Sequence, residues 1–516
     1  MKPALNRSME LGKLFVESVH AARYRDRPQS EIYKDRVISR LGLMHGLPQK
    51  IGQILSFSEL KDGGVAFSRL NEYEATMSLS LVEEQFFKSF QKEFKDVFEW
   101  VDSDGISASI GQVHKACLLG GKVVALKCQY PEIHDAIHTD LKALGWLTKP
   151  VGGLDKGFDL QAYKREIGYH IEQELDYHHE AEQQLKMQHL VQSLGNRVMV
   201  PKVISEWSSS SFLTTEWLEG QAFTKVHDWE RQDKEALAEV LLELFLTSFL
   251  EWGYIHGDPH PGNYRFIKAT DSVRVGLLDF GCTKNVSSET RQALIHLIDM
   301  HIETNRINQE AVWNALLLLG FNADLLAPLK DRMVLVSEIL FEPFKVKGSY
   351  QVTKWNLSSR LSEVLGEHRM TFRTAGPPEM IYVVRAYQGL IQYLKALNVT
   401  VSWQLIYQKV RDNIRLGKLN LGRDTIKEEV SSVSEMKSEL LRIRVSEGPI
   451  TKVDLTFNAR AVDNLEDLVP EEFKDRLEKH TIDLNQVIQD TQKSYYAPGD
   501  LIQILDNQKK VRIWLE

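Results

Sequence analysis

Apolar residues recur at three- and four-residue spacing through residues 8–100. Leu14, Phe15 and Val19 show the pattern early, and Leu81, Phe86, Phe87 and Phe90 show it later. That period predicts mostly helix. Between 101 and 130 the pattern changes. Residues 107–114 and 122–127 are β-rich runs, and Gly120-Gly121 supplies a turn between them. Helical spacing returns over about 162–194. Residues 212–218 read as a strand that Gly220 ends, 234–252 as a helix, and 253–263 as a loop punctuated by glycine and proline. Residues 273–278 form a short apolar strand, and 287–420 are again helical. Period-two alternation marks the tail at 441–445, 452–457, 501–505 and 511–515, with helical sequence at 468–494. The tail is therefore expected to be a small α+β module, joined through the charged stretch 423–439.

The most apolar stretch, 236–252, is interrupted by Glu239, Glu243 and Glu251. Glu239 and Glu243 lie four apart, on one face of an amphipathic helix packed in a core, so no transmembrane helix is expected. The N-terminus has no continuous apolar run of the secretory kind. Glu10, Glu17, Asp26, Glu31 and Asp35 argue against a transit peptide. The three cysteines, Cys117, Cys128 and Cys282, form no CxxC pair. That disfavours a disulfide framework or structural zinc and points to a reducing, cytoplasmic setting. The net charge of −8 gives no nucleic-acid footprint. At 516 residues, with 26% charged and 43% hydrophobic, the chain is a folded globular protein of several parts.

The chemistry starts at Ile255-His-Gly-Asp-Pro-His-Pro-Gly-Asn263. Pro259 and Pro261 remove ladder donors, so this is a rigid loop that holds polar side chains together rather than a central strand. Downstream, the strand at 275–278 delivers Asp279-Phe-Gly281. An Asp and an Asn oxygen on neighbouring loops suit Mg²⁺, which takes one or two protein ligands and completes its shell with phosphate and water. Asp258 precedes Asn263 by the spacing at which kinases place the acceptor of the incoming hydroxyl's proton. Upstream, Val124-Ala-Leu-Lys127 sets a lysine on a strand, and the acidic segment Glu174-Leu-Asp-Tyr-His-His-Glu180 can pair it. Asp176 and Glu180 are four apart and share a helical face, while Glu174 points elsewhere.

With these residues in place, the chain resembles the UbiB/AarF/ADCK family of atypical kinases over about 40–285. Lys50-Ile-Gly-Gln53 looks like that family's KxGQ signature, and Ser109-Ile-Gly-Gln-Val-His114 like the end of its nucleotide loop. Glu174-Leu-Asp176 with Glu180-Ala181 looks like its ExD motif. His256–Asn263 with Asp279-Phe-Gly281 resembles its catalytic and metal loops. The resemblance implies an α+β, bilobal protein-kinase-like fold, with ATP and Mg²⁺ as cofactors. It implies a Lys127–Glu180 ion pair, Asp258 as catalytic Asp, and Asn263 and Asp279 as metal ligands. Ser109 and Gly111 would lie over the nucleotide, and Glu216-Trp217 at the hinge would offer backbone groups to adenine. Lys50 would cross the site to Glu174 or Asp176 and occlude the protein-substrate groove. The expected layout is a helical extension over 1–100, an N-lobe over 101–218, a helical C-lobe over 219–422 and the appendage over 440–516. The family's association with isoprenoid-lipid and ubiquinone metabolism implies lipid or lipid-pathway partners and peripheral membrane contact. The tail resembles modules appended to bacterial proteins, which would point to a bacterial source. Ile106-Ser-Ala-Ser109 departs from the family's alanine-rich loop.

Two features come from the residues themselves. Gly257 stands where protein kinases place an arginine beside the catalytic Asp, and a helix begins by about Ser288, leaving no room for a long activation segment. Both favour a small-molecule or lipid-linked acceptor, or ATP hydrolysis, over protein phosphorylation. Plainer roles stand beside these. Lys50 could face water, 174–180 could be a solvated face, His256 could bond backbone, and Cys282 could merely pack. Two rival functions follow from the same residues. One is a pseudokinase scaffold switched by ATP. The other is a metallohydrolase with ligands from His256-x-Asp258-x-His260, which leaves Lys127 and Asp279-Phe-Gly281 unexplained.

Overall fold

The computed structural model describes residues 77–131 except 109, residues 133, 134 and 137, residues 173–415 except 270–271, 305 and 378–379, and parts of 438–516. Lys50-Ile-Gly-Gln53, Ser109, the helical readings over 8–76 and 162–172 and most of the 423–439 connection lie outside them. The chain divides into two compact units, one of which takes in 174–421 and the other 422–516.

In the first unit, helix α1 (Leu79–Phe90) is followed by strands β1 (Phe98–Val101), β2 (Ile106–Ser107), β3 (Gly111–Leu118) and β4 (Val123–Gln129). Helix α2 (Tyr177–Leu190), β5 (Val198–Met199) and β6 (Phe212–Glu216) come next. β1, β3, β4 and β6 form an antiparallel sheet in that order, with β2 paired to β3. Residues 98–100 were expected to be helical but belong to the edge strand β1, because Phe98 turns inward beside Phe86 and Phe94. Phe86 also meets Phe90, Trp207 and Phe212, an aromatic cluster that fastens α1 to the sheet.

The second lobe is built on α3 (Arg231–Leu246), whose last turn widens into a π-helical segment, Thr247–Trp252. Of the glutamates expected to share a face, Glu239 is exposed while Glu243 is buried. Arg197 and Lys409 compensate Glu243, bonding its two carboxylate oxygens. Short strands follow: β7 (Tyr254–His256), β8 (Tyr264–Lys268), β9 (Val273–Leu277) and β10 (Thr283–Asn285). β8 pairs with β9, β5 joins β9 in parallel, and β10 pairs back onto β7. Helices α4 (Ser288–Glu303), α5 (Gln309–Leu318), α6 (Met333–Lys345), α7 (Leu357–Leu365), α8 (Met380–Leu397) and α9 (Trp403–Arg415) complete the lobe. This stretch is helical as expected, apart from a small β-ladder between β11 (Tyr350–Gln351) and β12 (Thr400–Val401). Trp355, Trp403 and Tyr407 are its largest fully buried side chains. The fold is the bilobal kinase-like α+β arrangement.

The second unit is a four-stranded antiparallel sheet of order β14-β13-β16-β15: β13 (Leu440–Glu447), β14 (Ile450–Asn458), β15 (Gly499–Asp506) and β16 (Lys509–Leu515). Helix α10 (Leu484–Lys493) precedes β15. The alternation places Leu441, Ile443, Ile502, Ile504, Ile513 and Leu515 in one core, as the period-two pattern requires. Among the described residues, no helix is long and apolar enough to cross a membrane.

Candidate active site

Lys127 projects from β4 with its side chain only 13% exposed. Its Nζ meets both carboxylate oxygens of Glu180 at 2.8 and 2.7 Å, and Oδ2 of Asp279 at 3.0 Å. Glu180 sits in the first turn of α2, where the helix dipole favours a carboxylate. Its Oε1 also accepts the Phe280 backbone N–H at 3.3 Å. One ammonium thus ties the sheet, α2 and the Asp279-Phe-Gly281 turn together. Burial pushes the Glu180 carboxyl up, to about 7, against the pull of Lys127. Burial acts on Lys127 in the opposite sense, but Asp279 and Glu180 outweigh it and hold the lysine well above its ordinary value. The bidentate geometry fits the lysine's direction, an ammonium facing carboxylates.

The acidic segment is divided differently from its spacing. Asp176 is not on the helix face of Glu180. It is the N-cap of α2, and its Oδ1 accepts the His178 N–H at 2.9 Å, which satisfies one of the orphan donors of the first turn. Glu174, 6% exposed, packs against Gly281: a Cβ on that glycine would lie 3.3 Å from Glu174 Cγ. Glu174 thus lies beside the Asp279 turn.

Gly111 opens β3 where no side chain fits, since a Cβ there would stand 2.0 Å from Cys128 O and 2.9 Å from the Tyr177 hydroxyl. Next to it, Gln112 and His114 are fully buried and bonded to each other at 2.7 Å; His114 also meets Asp102 O, and Gln112 brackets the Met77 backbone. These two side chains therefore brace the base of β3 and of the loop that leads into it. At the hinge, the Glu216 carboxylate pairs with Lys122 at 2.8 Å and the Trp217 ring carries Lys115 at 4.7 Å. Their side chains are engaged there with lysines.

The catalytic loop follows β7. His256 Nε2 is bonded to Asp279 O, which joins the two loops, and burial holds the imidazole below its usual range. The Asp258 carboxylate accepts the His260 N–H at 3.3 Å and, on the same Oδ1, Arg385 Nη2 at 2.6 Å. Pro261–Asn263 is a 3-10 turn capped by His260, whose Nδ1 accepts the Gly262 N–H at 3.1 Å. Asn263 ends the loop; its amide NH2 donates to Asp258 O at 3.5 Å, so its Oδ1 is the atom to offer a cation. Leu278 N donates to Asn263 O at 3.0 Å, so the paired strands β8 and β9 bring Asn263 and Asp279 to neighbouring ends. Asp279 is braced by Lys127 on one oxygen and the Gly281 N–H on the other, at 3.1 Å. Two adjacent hard oxygens beside a lysine fit Mg²⁺ bound together with phosphate. The metallohydrolase triad does not assemble. His256 and Asp258 face Asp279 O and Arg385, and among the described residues no three His, Cys, Asp or Glu side chains could hold a metal.

Immediately after Gly281, β10 pairs with β7, and Ser287 caps α4, accepting the Thr290 N–H at 3.1 Å. The activation segment is reduced to 282–287. Cys282 is buried, as a packing residue. Residues 287–420 were expected to be helical, but spacing did not show that α8 backs the 257–263 loop with Tyr382, Arg385 and Tyr393. The one available signal was a charged residue at helical spacing within an apolar face.

Residues 69–312 match the family model described as an ABC1 atypical kinase-like domain. The Caenorhabditis elegans protein named "Atypical kinase coq-8, mitochondrial" is 28% identical over 401 residues, covering 75% of this chain and 52% of its own length. The chain thus spans about half of that relative. "Atypical kinase COQ8, mitochondrial" of Saccharomyces cerevisiae is 26% identical over 385 residues, covering 73% of this chain and 75% of its own. Among solved structures, Rv3197 of Mycobacterium tuberculosis, in complex with erythromycin, superposes with a TM-score of 0.51 at 24% identity. It covers 74% of this chain and 96% of that one, a likeness of fold.

Proposed function

Since the chain belongs to the UbiB/AarF/ADCK family of atypical kinases, we propose that it binds Mg-ATP and transfers or hydrolyses the γ-phosphoryl group in isoprenoid-lipid metabolism. The observation that carries the first half is the Lys127 ammonium held between Glu180 and Asp279. A lysine so oriented would hold the phosphates of ATP, and Mg-ATP would supply the electrophilic phosphoryl group there. Asn263 and Asp279 hold the cation. Asp258 orients the attacking hydroxyl or water and takes its proton. The second half, a place in quinone or other isoprenoid metabolism with lipid or lipid-pathway partners at a membrane surface, rests on the family resemblance alone.

The acceptor is read as a small or lipid-linked molecule. The support is the short segment between Gly281 and α4, in which β10 folds straight back onto β7. Hydrolysis of ATP by the purified chain, with and without lipid vesicles, tests the reading. Stoichiometric phosphorylation of a protein in trans would sink the acceptor assignment. Absence of hydrolysis under every condition, with nucleotide binding intact, would favour the pseudokinase scaffold. A normal quinone profile in a deletion strain would remove the ubiquinone link and leave the ATP site standing.

A further inference from the structure

The catalytic loop carries no side chain at Gly257 for a steric reason. Its N–H donates to Cys282 O at 2.7 Å where β7 and β10 cross, and a Cβ there would lie 3.1 Å from that oxygen and 3.2 Å from Cys282 Sγ. A side chain at 257 would have to push Cys282 aside by a few tenths of an ångström, and the loop itself supplies no arginine beside Asp258. One comes from the opposite side, from α8, 127 residues away in sequence.

The side chains of Arg385 and Asp258 are 3% and 9% exposed, so this is a buried ion pair. The helix is pressed onto the loop along three of its turns. Tyr382 lies 3.5 Å from the Cβ position at Gly257, Gly389 lets Pro259 approach so closely that a Cβ would fall 2.1 Å from Pro259 Cβ, and the Tyr393 hydroxyl donates to Pro259 O at 3.0 Å. A buried guanidinium on an apolar helix face is costly unless it meets a charge, so its partner is specific. Both hydrogen bonds described on the Asp258 carboxylate, from Arg385 and from His260 N, converge on Oδ1. They fix its rotation about Cβ–Cγ.

We propose that Arg385 is a positioning residue for phosphoryl transfer, holding the Asp258 carboxylate in the orientation that receives the acceptor's proton. The assignment rests on the ATP reading of the site. Arg385 touches no reacting atom, and the competing role is that of a strut between α8 and the loop.

The test compares the full chain with Arg385→Lys, Arg385→Leu, Asp258→Asn and the Arg385→Leu/Asp258→Asn pair. Turnover, KM for Mg-ATP and melting temperature are measured for each. A misaimed general base lowers kcat for Arg385→Leu by about 10²-fold while nucleotide KM changes by less than about twofold. Arg385→Lys recovers part of that loss, and in the Asp258→Asn background Arg385→Leu costs no further turnover. Its melting temperature falls by about 5 °C or more, and Asp258→Asn gives part of this back by removing the stranded charge. Losses in kcat that multiply with Asp258→Asn, or a KM that rises as much as kcat falls, overturn the proposal and leave a strut. A wild type that binds Mg-ATP without turnover defeats the phosphoryl-transfer reading, and with it the positioning role, while the nucleotide site stands. Additive melting losses would go further and overturn the contact itself.

Discussion

Lys127 Nζ stands 3.0 Å from Asp279 Oδ2 although 152 residues separate them in sequence. The contact exists because Glu180 holds the same ammonium through both of its oxygens while bonding the Phe280 N–H. The sheet, α2 and the Asp279-Phe-Gly281 turn are therefore one electrostatic unit.

Breaking that unit from one side is costly. Lys127→Met leaves Glu180, whose side chain is 2% exposed, beside Asp279 without a counter-charge, and is expected to cost about 3–5 kcal/mol of stability. Adding Glu180→Leu removes the second buried charge, so the double variant loses less than Lys127→Met alone. Urea unfolding of the two variants checks this; a loss below about 1 kcal/mol for Lys127→Met would show that the ammonium is not buried against these carboxylates.

Asp176 has a separate job. Asp176→Ala removes the cap of α2 and is expected to lower stability by about 1 kcal/mol, whereas Asp176→Asn keeps a capping oxygen and costs little. Equal melting temperatures for the Ala variant and wild type would deny the cap.

Much of this site could be read from spacing because its chemistry is local. Asp258 to Asn263 is one loop, Asp279-Phe-Gly281 one turn, and Val124-Ala-Leu-Lys127 one strand, so each announces itself. Asp176 was misread because helical periodicity does not say where a helix begins; the Asp that shares a face with Glu180 on paper precedes the first turn. Arg385 went unnoticed because its meaning lies in a tertiary contact between α8 and the loop. The start of β1, residues 98–100, was read as helix because three- and four-residue apolar spacing also describes aromatic residues gathered around Phe86 from separate elements.

The helical lobe carries a pH signature away from the site. His301 is buried, with Nδ1 bonded to Leu297 O at 2.7 Å and Nε2 to Ser337 Oγ at 3.3 Å. Burial holds it below 6.5, with Leu297 O and Glu338 opposing and Lys345 assisting. A histidine taken up neutral contributes stability fully above its unfolded value and loses it as pH falls through the folded one. The loss of urea midpoint between pH 7.5 and 5.5 that belongs to His301 is therefore expected to be absent from His301→Gln, whose midpoint falls less, or rises more, than that of wild type over the same interval. A pH dependence of the midpoint that His301→Gln leaves untouched would oppose this.

The most direct test of the central claim is the melting temperature of the full chain with ATP, in Mg²⁺ and then in excess chelator, for wild type and Asp279→Asn. At a hundred times Kd, wild type is expected to gain about 2.7 kcal/mol from Mg-ATP. Most of that gain should vanish with chelator, and Asp279→Asn should show little of it in either condition. An equal ATP shift with and without Mg²⁺, or an unchanged shift in Asp279→Asn, would contradict a magnesium–nucleotide site built on Lys127, Asn263 and Asp279.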